Sequence, residues 1–121
     1  MRFEGLGFGA LIATSLGMLN DFVAYQLAKC FHLSCKKLKL QYFFYDQLMR
    51  ASASVAFNLA EGSGKRTPND QRRYYSMALG SLRECQAILE LSEIENQDLK
   101  SQLNRLGAIL FKLSKINPRP P

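Results

Sequence analysis

Apolar residues recur every three or four positions along most of this chain, and each such run is bounded by residues that start or stop a helix. Tyr75, Ala78, Leu82, Cys85 and Leu89 repeat with spacings of 3, 4, 3 and 4, and Leu99, Leu103, Leu106, Leu110 and Leu113 with 4, 3, 4 and 3. Both runs predict amphipathic helices with a bundle-type seam. The first opens at Thr67-Pro68-Asn69-Asp70, a capping threonine followed by proline at the first helical position and an acid two residues later. The second is predicted over 97–115, where Lys112 and Lys115 suit the C-terminal dipole, and prolines at 118, 120 and 121 stop it.

A third helix is predicted from Tyr42 to Ala60 or Glu61, with Leu48, Ala51, Val55 and Asn58 or Leu59 as its seam. Small residues at 51–54 and 56 let neighbouring helices approach it closely. Gly62 suits the position just past the helix, where a left-handed backbone carries no Cβ penalty. Upstream, a helix from about Asn20 to Leu38 is predicted, with Val23, Leu27, Cys30, Ser34 and Leu38 on one face. The centre of the chain is thus a helical hairpin over 47–84, with one helix before it and one after. Gly80-Ser81 lies inside the third of the four helices, where glycine costs about 1 kcal/mol relative to alanine, so a close crossing is expected there.

At 121 residues a single core suffices. The expected organisation is a weakly ordered N-terminal extension over 1–18, a helical domain over 19–116 and a Pro-rich tail over 117–121. The extension is punctuated by four glycines and is short for a membrane span. A signal peptide is the alternative, although Glu4 offsets Arg2 and no clear A-x-A site follows.

The net charge of +6 is unevenly spread. Residues 29–83 carry ten Lys/Arg against three acids, whereas 84–98 carry five acids and no base. This asymmetry favours an anionic partner, nucleic acid first; solvation of basic helix faces is the plainer alternative. Lys36, Lys37, Lys39, Lys65, Arg66, Arg72 and Arg73 are the candidate phosphate contacts, densest at Lys65–Arg73. Tyr74 and Tyr75, beside the arginines, are candidates for stacking on unpaired bases, with Tyr75 better suited to the core.

Catalytic chemistry finds little support. The odd set Cys30, Cys35 and Cys85, with His32 as the one histidine, makes neither a disulfide framework nor a zinc site; it suits reduced core residues of a cytoplasmic protein. No catalytic residue, metal or cofactor is expected. His32 and Cys35 fall on one helix face, but no acid nearby in sequence would orient such a dyad. Gly62-Ser63-Gly64-Lys65-Arg66-Thr67 fails as a phosphate-binding loop: Leu59 stands where the first glycine belongs, Arg66 replaces the Ser/Thr, and no strand precedes it. Arg50, Asn58, Glu61 and Glu84 are polar residues within apolar helical stretches. They suit contacts between helices or between subunits, Arg50 pairing with Glu61 or Glu84, and a partner site is the other reading.

Gln47-Leu48-Met49-Arg50-Ala51, Ser54-Val55-Ala56-Phe57-Asn58-Leu59-Ala60-Glu61-Gly62 and Ala78-Leu79-Gly80-Ser81-Leu82-Arg83-Glu84 together resemble the bacterial four-helix bundle family of ribosomal RNA intervening-sequence proteins, whose reading frames were first noticed inside 23S ribosomal RNA genes. The similarity covers about residues 20–116. It implies an all-α, antiparallel up-and-down four-helix bundle that assembles into a homopentameric ring. It also brings in the accessory variability proteins of diversity-generating retroelements, which are basic, pentameric, and bind a reverse transcriptase and its RNA. Phe57 departs from the smaller or polar residue common at that position. Two functions follow as expectations: a non-catalytic ring that binds structured RNA through its phosphates, or a scaffold that docks a protein partner such as a reverse transcriptase.

Overall fold

A computed structural model describes residues 16–115, with side chains from Phe22 onward. Four helices follow in order: α1 (Leu16–Lys36), α2 (Tyr42–Ser63), α3 (Pro68–Leu91) and α4 (Gln97–Lys115). Each packs against its neighbours in chain order and α1 closes on α4, while the diagonal pairs stay apart among the described residues. This is the up-and-down four-helix bundle. The short connections allow nothing else, since a few residues can only turn the chain back beside the helix it has just left. The expected extension over 1–18 lies outside the described residues up to position 15, while 16–18 belong to α1, which starts four residues before Asn20. The Pro-rich tail over 117–121 lies wholly outside them.

The core takes one face of each helix. Leu48, Ala51, Val55 and Leu59 of α2, Tyr75, Ala78, Leu82, Cys85 and Leu89 of α3, and Leu99, Leu106, Leu110 and Leu113 of α4 are buried as the spacing predicts, while Leu103 of the same α4 row is half-buried against the core. In α1 the buried row is Ala24, Ala28, Phe31 and Cys35, one residue on from the predicted face. Two parallel rows of α1 carry apolar residues at helical spacing, so periodicity alone does not choose between them. Packing does: Phe31 fills the centre, and Ala24 and Ala28 let α1 approach its neighbours. Cys30, expected in the core, is therefore exposed.

Gly62 also differs from expectation. It lies inside the last turn of α2, and the helix ends at Gly64, whose φ of −91° is right-handed. Its missing side chain serves packing instead, because a Cβ there would stand 2.8 Å from Tyr75 Cε1 and 3.0 Å from Tyr74 Cβ. The close approach of α2 and α3 thus falls at Gly62. At Gly80, where it was expected, no atom lies within 4 Å of an added Cβ.

The turn into α3 is capped as its sequence predicts, the Asp70 amide donating to Thr67 Oγ1 at 3.1 Å. The α3–α4 turn places Glu93 at φ 57°, with the Ile94 amide donating to the Leu89 carbonyl and the Glu93 amide to the Glu90 carbonyl, each at 3.0 Å. This is a Schellman ending in which Glu93 occupies the position glycine favours. No helix among the described residues is long and apolar enough to cross a membrane.

Candidate nucleic-acid interface

The up-and-down path divides the candidate cations into two groups. Lys36, Lys37 and Lys39 sit at the α1–α2 turn, all exposed, whereas Lys65, Arg66, Arg72 and Arg73 sit at the α2–α3 turn. Between them runs the whole of α2, whose 22 residues span about 33 Å. The seven residues therefore form two sites at opposite ends of the bundle.

At the α2–α3 end, Lys65 Nζ lies 5.0 Å and Arg73 Cζ 5.1 Å from the centre of the Tyr74 ring. The ring holds two cations near one point in space, an attraction worth about 0.5–1 kcal/mol for each at an exposed site. Lys65 also pairs with Glu61 at 3.5 Å and Arg73 with Asp70 at 4.0 Å. Arg72 donates to Asn69 Oδ1. Exposed pairs of this kind are worth roughly 0–1 kcal/mol, so a phosphate can displace the carboxylates at little cost. Tyr75 is buried beneath them, and a base stacking on Tyr74 would have to displace Lys65 or Arg73.

Topology adds two members that sequence reasoning assigned only to a helix dipole. Because α4 runs antiparallel to α3, Lys112 and Lys115 arrive at the end where α3 begins. Lys115 Nζ sits 4.7 Å above the Phe111 ring. Six cations thus share that end with Glu61 and Asp70. The acids Glu90, Glu93, Glu95 and Asp98 gather at the far end around the α3–α4 turn, where Glu90, Glu93 and Glu95 line an open cleft of about 690 Å³ floored by Leu89, Ile94, Leu99 and Leu103.

The remaining polar residues mostly bond within their own helix. Arg50 pairs with Asp46 at 3.3 Å, and neither Glu61 nor Glu84 is its partner within the chain. Arg50 and Glu61 are about three turns apart on one helix and cannot meet. Asn58 Nδ2 donates to the Ser54 carbonyl and hydroxyl at 2.9 and 3.1 Å. A bond that does join α2 to α3 is Ser54 Oγ to Ser81 Oγ at 2.9 Å, which helps fix their register. Glu84 is exposed.

His32 faces Ser52 rather than Cys35, with Nδ1 2.7 Å from Oγ. Ser52 is 0% exposed, so the pair ties α1 to α2 and offers no nucleophile to a substrate. Burial, reinforced by Lys36 one turn on, holds the His32 pKa below the ordinary histidine value. Burial pushes the Cys35 thiol up to about 12 and raises Cys85 further, so neither is a thiolate near neutral pH. Among the described residues no group of three or more His, Cys, Asp or Glu is placed to hold a metal ion.

Fold and surface together define a small up-and-down bundle with a strongly cationic end and an acidic corner at the other. A family model described as 23S rRNA-intervening sequence protein matches residues 21–117, and the chain belongs to that family. No curated protein and no solved structure is similar enough to the chain to match it.

Proposed function

We propose that the protein is a non-catalytic RNA-binding bundle that grips the phosphate backbone of structured RNA with its α2–α3 end and works as a homopentameric ring. The observation that carries the reading is the convergence of Lys65, Arg66, Arg72 and Arg73 with Lys112 and Lys115 of α4 at one end of the bundle. The family's name, which associates it with 23S ribosomal RNA, supports the choice of RNA among anionic partners. Phosphate contacts of this kind make affinity fall steeply with salt and carry little base readout. The exposed Phe57 and Met77, beside the open surface at Gly80, offer the α2–α3 face to a neighbouring subunit or to a docked protein such as a reverse transcriptase.

The test is a salt titration of binding to structured ribosomal RNA fragments, with molecular mass recorded in the same buffer. Reversing Lys65, Arg66, Arg72 and Arg73 to glutamate should weaken binding uniformly across RNA sequences and reduce the salt slope by roughly one for each phosphate no longer neutralised. A ring that ignores RNA at low salt, or duplex binding that survives the four reversals, refutes the reading and leaves the docking scaffold in its place.

A further inference from the structure

We propose that the α1–α2 corner is a second RNA surface, one that takes unpaired nucleotides by stacking them on Tyr42 and Phe43 beside the phosphate contacts Lys36, Lys37 and Lys39. The proposal rests on the RNA-binding reading above and specifies which kind of RNA this end would hold.

Tyr42 is 83% and Phe43 64% exposed, although both begin a helix whose inner face is well buried. Phe43 is propped rather than loose, its ring meeting that of Phe44 edge-on at 5.5 Å and 66°. Phe44 in turn packs against the core. The Tyr45 hydroxyl donates to the Lys36 carbonyl at 3.2 Å, closing the first turn of α2 onto the last turn of α1. Aromatic rings and lysines are therefore held in one patch by the fold itself.

Among the described residues the lysines here form no ion pair of their own, although the acids of the α3–α4 turn share this end of the bundle, with Gln102 donating to both Asp98 Oδ2 and Ser34 Oγ of α1. Among the described residues no acid lies within ion-pair distance of Lys36, Lys37 or Lys39, and nearby Asp46 is taken by Arg50. At the α2–α3 end the half-buried Tyr74 ring is already covered, since Lys65 and Arg73 lie over it. The two ends thus suit different forms of one polymer. A duplex keeps its bases stacked on each other and presents only phosphates, which the α2–α3 end can take. Unpaired bases offer free π faces, which stack on Tyr42 and Phe43 with little regard to sequence while flanking phosphates meet the lysines. An apolar protein segment would cover the same rings but would bring no anion to Lys36, Lys37 and Lys39, none of which has an acid within ion-pair distance among the described residues.

The experiment measures fluorescence anisotropy at low salt with a labelled short oligouridine and, separately, a blunt RNA duplex of the same length. The proteins are wild type, Tyr42→Ala/Phe43→Ala, Tyr42→Leu/Phe43→Leu and Lys65→Glu/Arg66→Glu. Loss of one stacked base weakens binding by about fivefold or more, so both aromatic variants should lose at least that for oligouridine and stay within about twofold of wild type for the duplex. Lys65→Glu/Arg66→Glu should show the larger loss on the duplex. Oligouridine affinity left intact by the alanine pair, or retained by the leucine pair that keeps apolar bulk without a π face, overturns the proposal. A wild type that binds duplex but not oligouridine overturns it alone, whereas one that binds neither overturns the wider RNA reading as well.

Discussion

Replacing Gly62 with alanine sets two effects of known sign against each other. Within a helix the exchange ordinarily gains about 1 kcal/mol, because glycine carries the larger entropic cost of ordering. Here the new methyl would stand 2.8 Å from Tyr75 Cε1, 3.1 Å from Tyr75 Cδ1 and 3.0 Å from Tyr74 Cβ. Neither neighbour yields easily: the Tyr75 ring is buried in the core, and Tyr74 Cβ is fixed to the α3 backbone. Relief requires α2 and α3 to part where they are closest. Overpacking typically costs 1–3 kcal/mol, and obstruction by two residues puts this site near the upper figure. The net expectation is a loss of about 2 kcal/mol. Urea unfolding followed by far-UV circular dichroism, at fixed protein concentration, should show the midpoint falling by roughly 1 M with an unchanged slope near 2 kcal/mol/M. Gly80→Ala is the internal control, since an added Cβ there meets nothing within 4 Å and should raise stability by up to about 1 kcal/mol. A Gly62→Ala protein as stable as wild type would refute the packing account of this glycine.

Other outcomes follow from single features. Glu93→Gly should stabilise by about 1 kcal/mol in the same urea assay, because glutamate holds φ 57° at the end of α3 and adds negative charge near a helix C-terminus. Under native conditions a thiol reagent should modify Cys30 quickly and leave Cys35 and Cys85 untouched until denaturant is added; equal rates for all three would contradict their burial. His32 has a folded-state pKa below its unfolded value of 6.5, so the unfolded chain takes up the proton first and stability falls as pH drops below about that value. His32→Gln should flatten that part of the stability profile, and an unchanged profile would place the pH dependence elsewhere. Leu82→Ala, in the middle of the core, should cost about 2–5 kcal/mol by cavity formation, measured as the same midpoint shift.

The sequence by itself determined the number of helices and the inner faces of three of them. In α3 and α4 the apolar rows are single, and Thr67-Pro68 and the terminal prolines leave little freedom in where a helix starts or stops. Charge asymmetry and Lys65–Arg73 were equally legible, because residues adjacent along the chain stay adjacent in the fold. Only the tertiary structure decided which of two apolar rows of α1 faces inward, since both have helical period and the choice depends on what Phe31 meets across the bundle. It likewise turned Gly62 from a stop signal into a contact point, joined Ser54 to Ser81 and His32 to Ser52, and brought Lys112 and Lys115 to the cationic end while separating Lys36–Lys39 from it by the length of α2. Periodicity fixes what a helix can bury, whereas the partners of a surface residue depend on the direction of neighbouring helices, which is a property of the packed bundle.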